Sequence, residues 1–173
     1  MNKIIKHKNG FSLIEILAVL FIVSVALLGL VSLIIQNIQA QSINKNNLIS
    51  YNLAQEGIEL IRQTRDSNWK NNIAYDTNLA DGIYYMDYRM DKPELVTSNN
   101  GRVYLLNING YLNYINLQVG DVGATPTIFT REIYLDKPAG YEGNPLQVRA
   151  IVTWSDRGHP YRYELRALLF DWK

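Results

Sequence analysis

The chain has 173 residues, of which 47% are apolar and 19% are charged, and its formal net charge at pH 7 is +1. This composition excludes a disordered chain, and the near-neutral charge argues against a general nucleic-acid binder. The absence of cysteine excludes a disulfide framework, a thiolate metal site and a lipid-attachment cysteine.

The first elements in chain order are a short basic leader and a long apolar run. The leader contains three lysines, Lys3, Lys6 and Lys8. The run from Phe11 to Ile35 contains one charged residue, Glu15. At about 1.5 Å per residue, a helix over this run is long enough to cross a hydrocarbon core of about 30 Å. The run is longer than the apolar part of a secretory signal, so we expect the helix to be retained, with the N-terminus in the cytoplasm and the bulk of the chain outside.

Glu15 is the unusual residue of this run. A carboxylate in an apolar segment costs on the order of 2–3 kcal/mol at mid-membrane, so we expect it to have a partner. Glu15 follows Phe11 by four residues, which places both on one face of a helix. Ser12 and Glu15 also form a capping box, and the whole pattern is also compatible with an uncleaved signal anchor.

The block Gly10-Phe11-Ser12-Leu13-Ile14-Glu15 resembles the N-terminal signature of type IV prepilins and of type II secretion pseudopilins. The resemblance implies that prepilin peptidase cuts after Gly10 and that the new terminus, Phe11, is N-methylated. Such a cut would create a cationic amine on the helix face of Glu15, and glycine suits a position where a protease must approach the backbone. The resemblance also implies that Glu15 neutralises the terminal amine of a neighbouring subunit during assembly. It further implies a precursor in the lipid bilayer of the inner or cytoplasmic membrane, an assembly platform in that membrane, and a filament of pilin or pseudopilin subunits at the cell surface or in the periplasm.

The helical pattern continues beyond the apolar run. Apolar or small residues recur at three- and four-residue steps, at Ile49, Leu53, Ala54, Gly57, Ile58, Leu60 and Ile61. We expect this face to cover the core of a head domain, and the part before Ile43 to pack in a filament. Arg62 and Arg65 suit a last helical turn, and residues 66–68 are typical of a helix end, so the helix is predicted to end at about residue 66.

From residue 82 onward the apolar residues alternate, as in β-strands. Strands are predicted over residues 82–88, 103–108, 111–117, 127–135, 146–154 and 162–169. Asn109-Gly110 is a strong hairpin signal because both residues accept positive φ, and a second turn is predicted over residues 156–160. Residues 70–81, 89–101 and 118–126 are predicted loops.

The pattern as a whole predicts an α+β, pilin-like fold. Its parts are a cleaved leader (residues 1–10), a transmembrane or filament-core helix segment (residues 11–35) and an extracytoplasmic head (residues 36–173). In the head, the amphipathic half of the helix packs on an antiparallel β-sheet.

The sequence offers little for catalysis or for a cofactor. His7 would leave with the leader, His159 lies in a predicted turn, and no nucleotide-binding, hydrolase or metalloprotease motif is present. We therefore expect neither an enzyme nor a resident cofactor. Calcium is the one metal with candidate ligands, at Asp76, Asp81, Asp87 and Asp91, although turn formation explains the same aspartates.

Arginines on the last predicted hairpin are a candidate partner surface. Arg149, Arg162 and Arg166 could together bind DNA or an acidic subunit. Glu164 on the same strand favours a solvated, internally paired face instead, so DNA binding is not expected.

Two departures from many major type IV pilins narrow the resemblance. The membrane helix has no proline, and the cysteine pair that closes the C-terminal loop of those pilins is missing. Residues 53–59 and the final hairpin are similar to those of small minor pilins, which favours a minor pilin or pseudopilin. The alternative is a single-pass, signal-anchored extracytoplasmic binding or adhesion protein that does not polymerise.

Overall fold

The structure, a computed structural model, describes Gly10 and residues 12–97, 101–138, 143 and 145–171. This part of the chain contains the helix α1 (Leu13–Lys70) and a seven-stranded antiparallel sheet. The strands are β1 (Gly82–Tyr85), β2 (Glu94–Leu95), β3 (Arg102–Ile108), β4 (Tyr111–Asn116), β5 (Thr125–Asp136), β6 (Leu146–Asp156) and β7 (His159–Leu169). The chain divides into two units, residues 1–44 and 45–173, and α1 contributes to both. The predicted α+β layout is confirmed.

The helix α1 runs four residues past its predicted end near residue 66, to Lys70. Asn68, a residue type that disfavours helices, lies in the last turn and is buried. Its side-chain amide donates to the carbonyls of Tyr75 (3.0 Å) and Thr77 (2.8 Å). The helix stops where Asn72 adopts a φ of 57°, a conformation typical of residues after a helix end. A tertiary contact therefore outweighs the local preference of Asn68.

The strand β5 lies at the centre of the sheet. Along one edge, its residues Thr130–Asp136 pair with β6, which in turn pairs with β7. Along the other edge, the first half of β5 pairs with β3 and its second half with β1. The strands β4 and β2 extend the sheet from β3 and β1, respectively. As a result, β2, β4 and β7 are the edge strands.

The part of α1 in the second unit covers one face of the sheet, as predicted. The helix contributes Leu53, Ala54, Ile58, Leu60 and Ile61, and the strands contribute Val103, Phe129, Ile133, Leu135, Val148, Ala150, Val152 and Trp154. Gly57 is a point of close approach, because a Cβ added there would lie 3.4 Å from Ile133 Cδ1 and 3.5 Å from Ala150 Cβ. The apolar stripe of the helix therefore packs on β5 and β6.

Two hairpins have two-residue turns in which both residues have positive φ. In the β3–β4 turn these are Asn109 (54°) and Gly110 (87°), as predicted. In the β6–β7 turn they are Arg157 (52°) and Gly158 (81°). His159 therefore belongs to β7 rather than to the predicted turn. Arginine is uncommon at positive φ, so Gly158 is the residue of this turn whose type suits its conformation.

The remaining differences concern strand bounds. The strand β2 lies inside the predicted loop 89–101, and β5 begins inside the predicted loop 118–126. With two residues, β2 is too short to show a period of two. The first predicted strand, 82–88, ends at Tyr85, because Met86 and Asp87 turn into a buried polar network.

Candidate functional site at the start of the helix

The described part of the N-terminal motif consists of Gly10 and the residues from Ser12 onward, whereas Phe11, the predicted methylated terminus, lies outside the described residues. The carbonyl of Ser12 accepts hydrogen bonds from the N–H groups of Glu15 (3.0 Å) and Ile16 (3.2 Å). Ser12 is therefore the N-cap of α1, a position where serine is strongly preferred. The helix thus begins at Leu13, three residues after Gly10. The cleavage after Gly10 and the methylation of Phe11 stay predictions.

Glu15 lies in the first turn of α1, and its side chain is exposed. Its negative charge complements the positive end of the helix dipole. The ion pairs among the described residues all lie beyond residue 55. The carboxylate is therefore placed where a cation from outside the described chain can reach it.

The segment that follows Glu15 is apolar and exposed. Each residue from Ser12 to Gln41 is exposed, and the large apolar side chains between Leu13 and Ile38 have exposed fractions of 47–75%. The hydroxyl of Ser24 donates to the carbonyl of Leu20 at 2.7 Å, so this polar group is satisfied inside the helix, as a membrane requires. This helix is long and apolar enough to cross a membrane.

The four aspartates considered for calcium do not come together. Asp76 pairs with Lys137, which lowers the pKa of Asp76 through their hydrogen bond. Asp87 is fully buried in the polar network described next, while Asp81 and Asp91 are exposed. Over the described ranges, no three histidine or carboxylate side chains are placed to hold a metal ion.

The guanidinium of Arg131 is the centre of a buried polar network in the second unit. Arg131 is 1% exposed, and its Nη1 lies 3.1 Å from the carbonyl oxygen of Leu53 and 2.8 Å from Oε2 of Glu56, both on α1. Its Nη2 donates to the carbonyl of Met86 and to Oδ1 of Asn116 (3.3 Å). One side chain of β5 therefore connects the helix, β4 and the segment after β1.

The network continues from Asn116 to a second arginine. The fully buried carboxylate of Asp87 accepts from the N–H of Asn116 (2.9 Å) and from Nη2 of Arg89 (2.7 Å). Arg89 also donates to both carboxylate oxygens of Asp121, at 2.7 and 3.2 Å. Hydrogen bonds with Arg89 lower the pKa of Asp121, and those with Asp121 and Asp87 raise the pKa of Arg89. The pairs of Arg89 with Asp87 and with Asp121 thus hold the loop after β4, which contains Asp121, against the sheet.

Sequence patterns alone did not identify this network, although one signal was present. Arg131 shares the alternation of Phe129, Ile133 and Leu135, which are buried core residues. A charged residue at a core position predicts a buried ion pair, because an unpaired buried charge is very costly. Its partners could not be predicted, since Glu56 is 75 residues away along the chain.

The three arginines of the predicted partner surface lie on the sheet face opposite α1, and each lies near a carboxylate. Glu164 pairs with both Arg162 and Arg166, and Arg166 is the main cause of its lowered pKa. Arg149 lies 3.5 Å from the carboxylate of Asp136. The interpretation as an internally paired face therefore matches the geometry.

Comparisons with known proteins point to the N-terminal region. Residues 5–31 match the family model described as the prokaryotic N-terminal methylation motif, the signal found in type IV prepilin-like proteins. No curated protein and no solved structure matched the chain.

Proposed function

We propose that the chain is a structural subunit, a minor pilin or pseudopilin, of a type IV pilus-like or type II secretion filament. The match of residues 5–31 to the N-terminal methylation motif carries the proposal. The fold supports it, because a helix that begins at the motif presents exposed apolar side chains and then packs on an antiparallel sheet.

In this proposal the three motif residues have separate roles. Gly10 is the residue after which prepilin peptidase cuts, and Phe11 becomes the N-methylated terminus. Glu15 then pairs with the terminal amine of a neighbouring subunit, which removes the cost of a lone carboxylate among apolar helices.

The proposed route begins in the inner or cytoplasmic membrane. The precursor crosses the lipid bilayer once, with its N-terminus in the cytoplasm and residues 36–173 outside. After cleavage, an assembly platform extracts the helix into a filament of pilin or pseudopilin subunits, at the cell surface or in the periplasm. The subunit is not an enzyme in this scheme. DNA is not its expected ligand, because Arg149, Arg162 and Arg166, the arginines of the candidate partner surface, lie near carboxylates.

Mass spectrometry of the chain recovered from native membranes tests the processing step. We expect the N-terminus to be methylated Phe11. A chain that still begins at Met1 would contradict the proposal and would support the single-pass anchored protein, in which Glu15 serves only the start of the helix.

The substitution Glu15→Ala tests the assembly step. We expect cleavage to be intact and the amount of chain in sheared filaments to fall about tenfold or more, because the terminal amine of the neighbour loses its partner. Glu59→Ala, on the exposed face of the same helix, is the matched control and should leave incorporation unchanged. Equal incorporation of both variants would remove the role of Glu15.

A further inference from the structure

The two longest edge strands of the sheet differ in how their free edges are protected. Along β7, the residues whose backbone groups point away from β6 include Pro160, Arg162, Glu164 and Arg166. Proline and charged side chains are the usual means by which an edge strand avoids pairing with another strand. The strand β4 has neither proline nor a charged residue.

The backbone of β4 is capped at one end only. The N–H of Asn116 donates to Asp87 and its carbonyl accepts from Arg89, so these groups point away from β3. Because backbone groups alternate along a strand and the β3–β4 register is regular, the groups of Leu112 and Tyr114 point to the same free edge. Within the described chain, no residue makes a hydrogen bond with the backbone N–H or C=O groups of Leu112 and Tyr114.

The region around this edge is also uncharged. Residues 103–120 contain no charged side chain, in a chain of which 19% is charged. At the tip of the ribbon, Tyr111 is 76% exposed and Leu112 is 69% exposed. A lack of charged side chains together with exposed tyrosine is typical of a surface that a protein partner covers. The surface therefore suits a partner that is itself uncharged.

We propose that the free edge of β4 at Leu112 and Tyr114 is a docking site for an uncharged, extended segment of a different protein chain, which adds a strand to the sheet. A strand satisfies the free N–H and C=O groups, whereas a lipid surface cannot, because open sheet edges are not tolerated in hydrocarbon. A second copy pairing β4 with β4 would be rotated about the sheet normal, and its packed helix would run in the opposite direction. Subunits that share one filament, as in the proposed function, cannot pair in this way.

A pair of proline variants tests the edge. In Leu112→Pro the lost N–H points away from β3, so the hairpin is retained while one docking group is removed. Leu168→Pro makes the same change on the charged edge of β7, where the N–H also points away from the sheet. Thermal unfolding midpoints of both full-length variants that equal the midpoint of the natural chain establish that both are folded.

The readout is photo-crosslinking in native cells, with p-benzoylphenylalanine in place of Tyr111 of the full chain. We expect an adduct with an uncharged segment of another protein that falls about tenfold in Leu112→Pro and is unchanged in Leu168→Pro. An adduct with lipid or with a second copy would overturn the proposal, as would equal adducts in the two proline variants. If the chain begins at Met1, the proposed function fails, but this crosslinking result still decides whether β4 is a docking edge.

Discussion

The two halves of α1 are both rich in apolar side chains, but they have different surroundings. In the first unit, residues such as Leu30 and Ile34 are more than half exposed. In the second unit, Leu53 and Ile61 are 3% and 0% exposed, because the sheet covers them. The periodicity of the sequence already distinguishes these halves, since the first is apolar on all sides and the second has one apolar stripe. The first half therefore fits an apolar environment outside the chain, and the second carries its partner within the chain.

The largest effect on stability is expected from Arg131→Ala, in the unit where the helix packs on the sheet. The substitution leaves Glu56, Met86 and Asn116 without their buried cation, and loss of one member of such a network costs about 3–5 kcal/mol. Urea unfolding of the full chain in detergent, followed by tryptophan fluorescence, measures the change. Arg166→Ala, at an arginine whose side chain is 64% exposed, is the control and should change the free energy of unfolding by less than about 0.5 kcal/mol. Similar decreases in the free energy of unfolding of both variants would show that the network around Arg131 does not stabilise the fold.

A glycine pair compares the two halves of the helix directly. Gly57→Leu forces a side chain against Ile133 and Ala150 and should cost about 1–3 kcal/mol. Gly29→Leu meets no described atom within 4 Å of the added Cβ, so the same unfolding measurement should show no loss. If Gly29→Leu also destabilised the second unit, the independence of the two halves would be refuted.

The smallest expected effect is a pH dependence confined to the second unit. The pKa of Asp121 is lowered in the folded state, so its pairing with Arg89 stabilises the fold above the unfolded pKa of about 4 and is lost as the pH falls through the folded value. Asp76 and Glu164 have lowered pKa values and titrate in the same range. Between pH 6 and pH 2 the free energy of unfolding should therefore fall less for Asp121→Asn than for the natural chain. It should still fall, because Asp76 and Glu164 remain. Identical pH profiles would show that the pair contributes nothing.

Sequence patterns predicted the elements of this fold better than its connections. The long helix, its buried stripe, the Asn109-Gly110 turn and the last two strands follow from periods of 3.6 and 2 and from turn chemistry. The three-strand environment of β5 was not predictable, because pairing of β5 with β1, β3 and β6 depends on long-range contacts that leave no local pattern.

The functional residues likewise include some that are close together in the sequence and some that only the fold brings together. The motif around Gly10 and Glu15 is contiguous, so its residues could be named from the sequence alone. The network around Arg131 joins residues up to 78 positions apart, and only the core position of the arginine indicated it. The free edge of β4 depends on the order of the strands in the sheet, which no local pattern of residues specifies.

The separation between Arg131 and its helix partners also has a consequence for the time course of folding. The chain emerges from its N-terminus, so the stripe at Leu53 is made 78 residues before Arg131. At a synthesis rate of about 5–20 residues per second, this delay is about 4–16 s. During synthesis the apolar stripe therefore lacks the sheet that covers it for far longer than a helix or a hairpin needs to form.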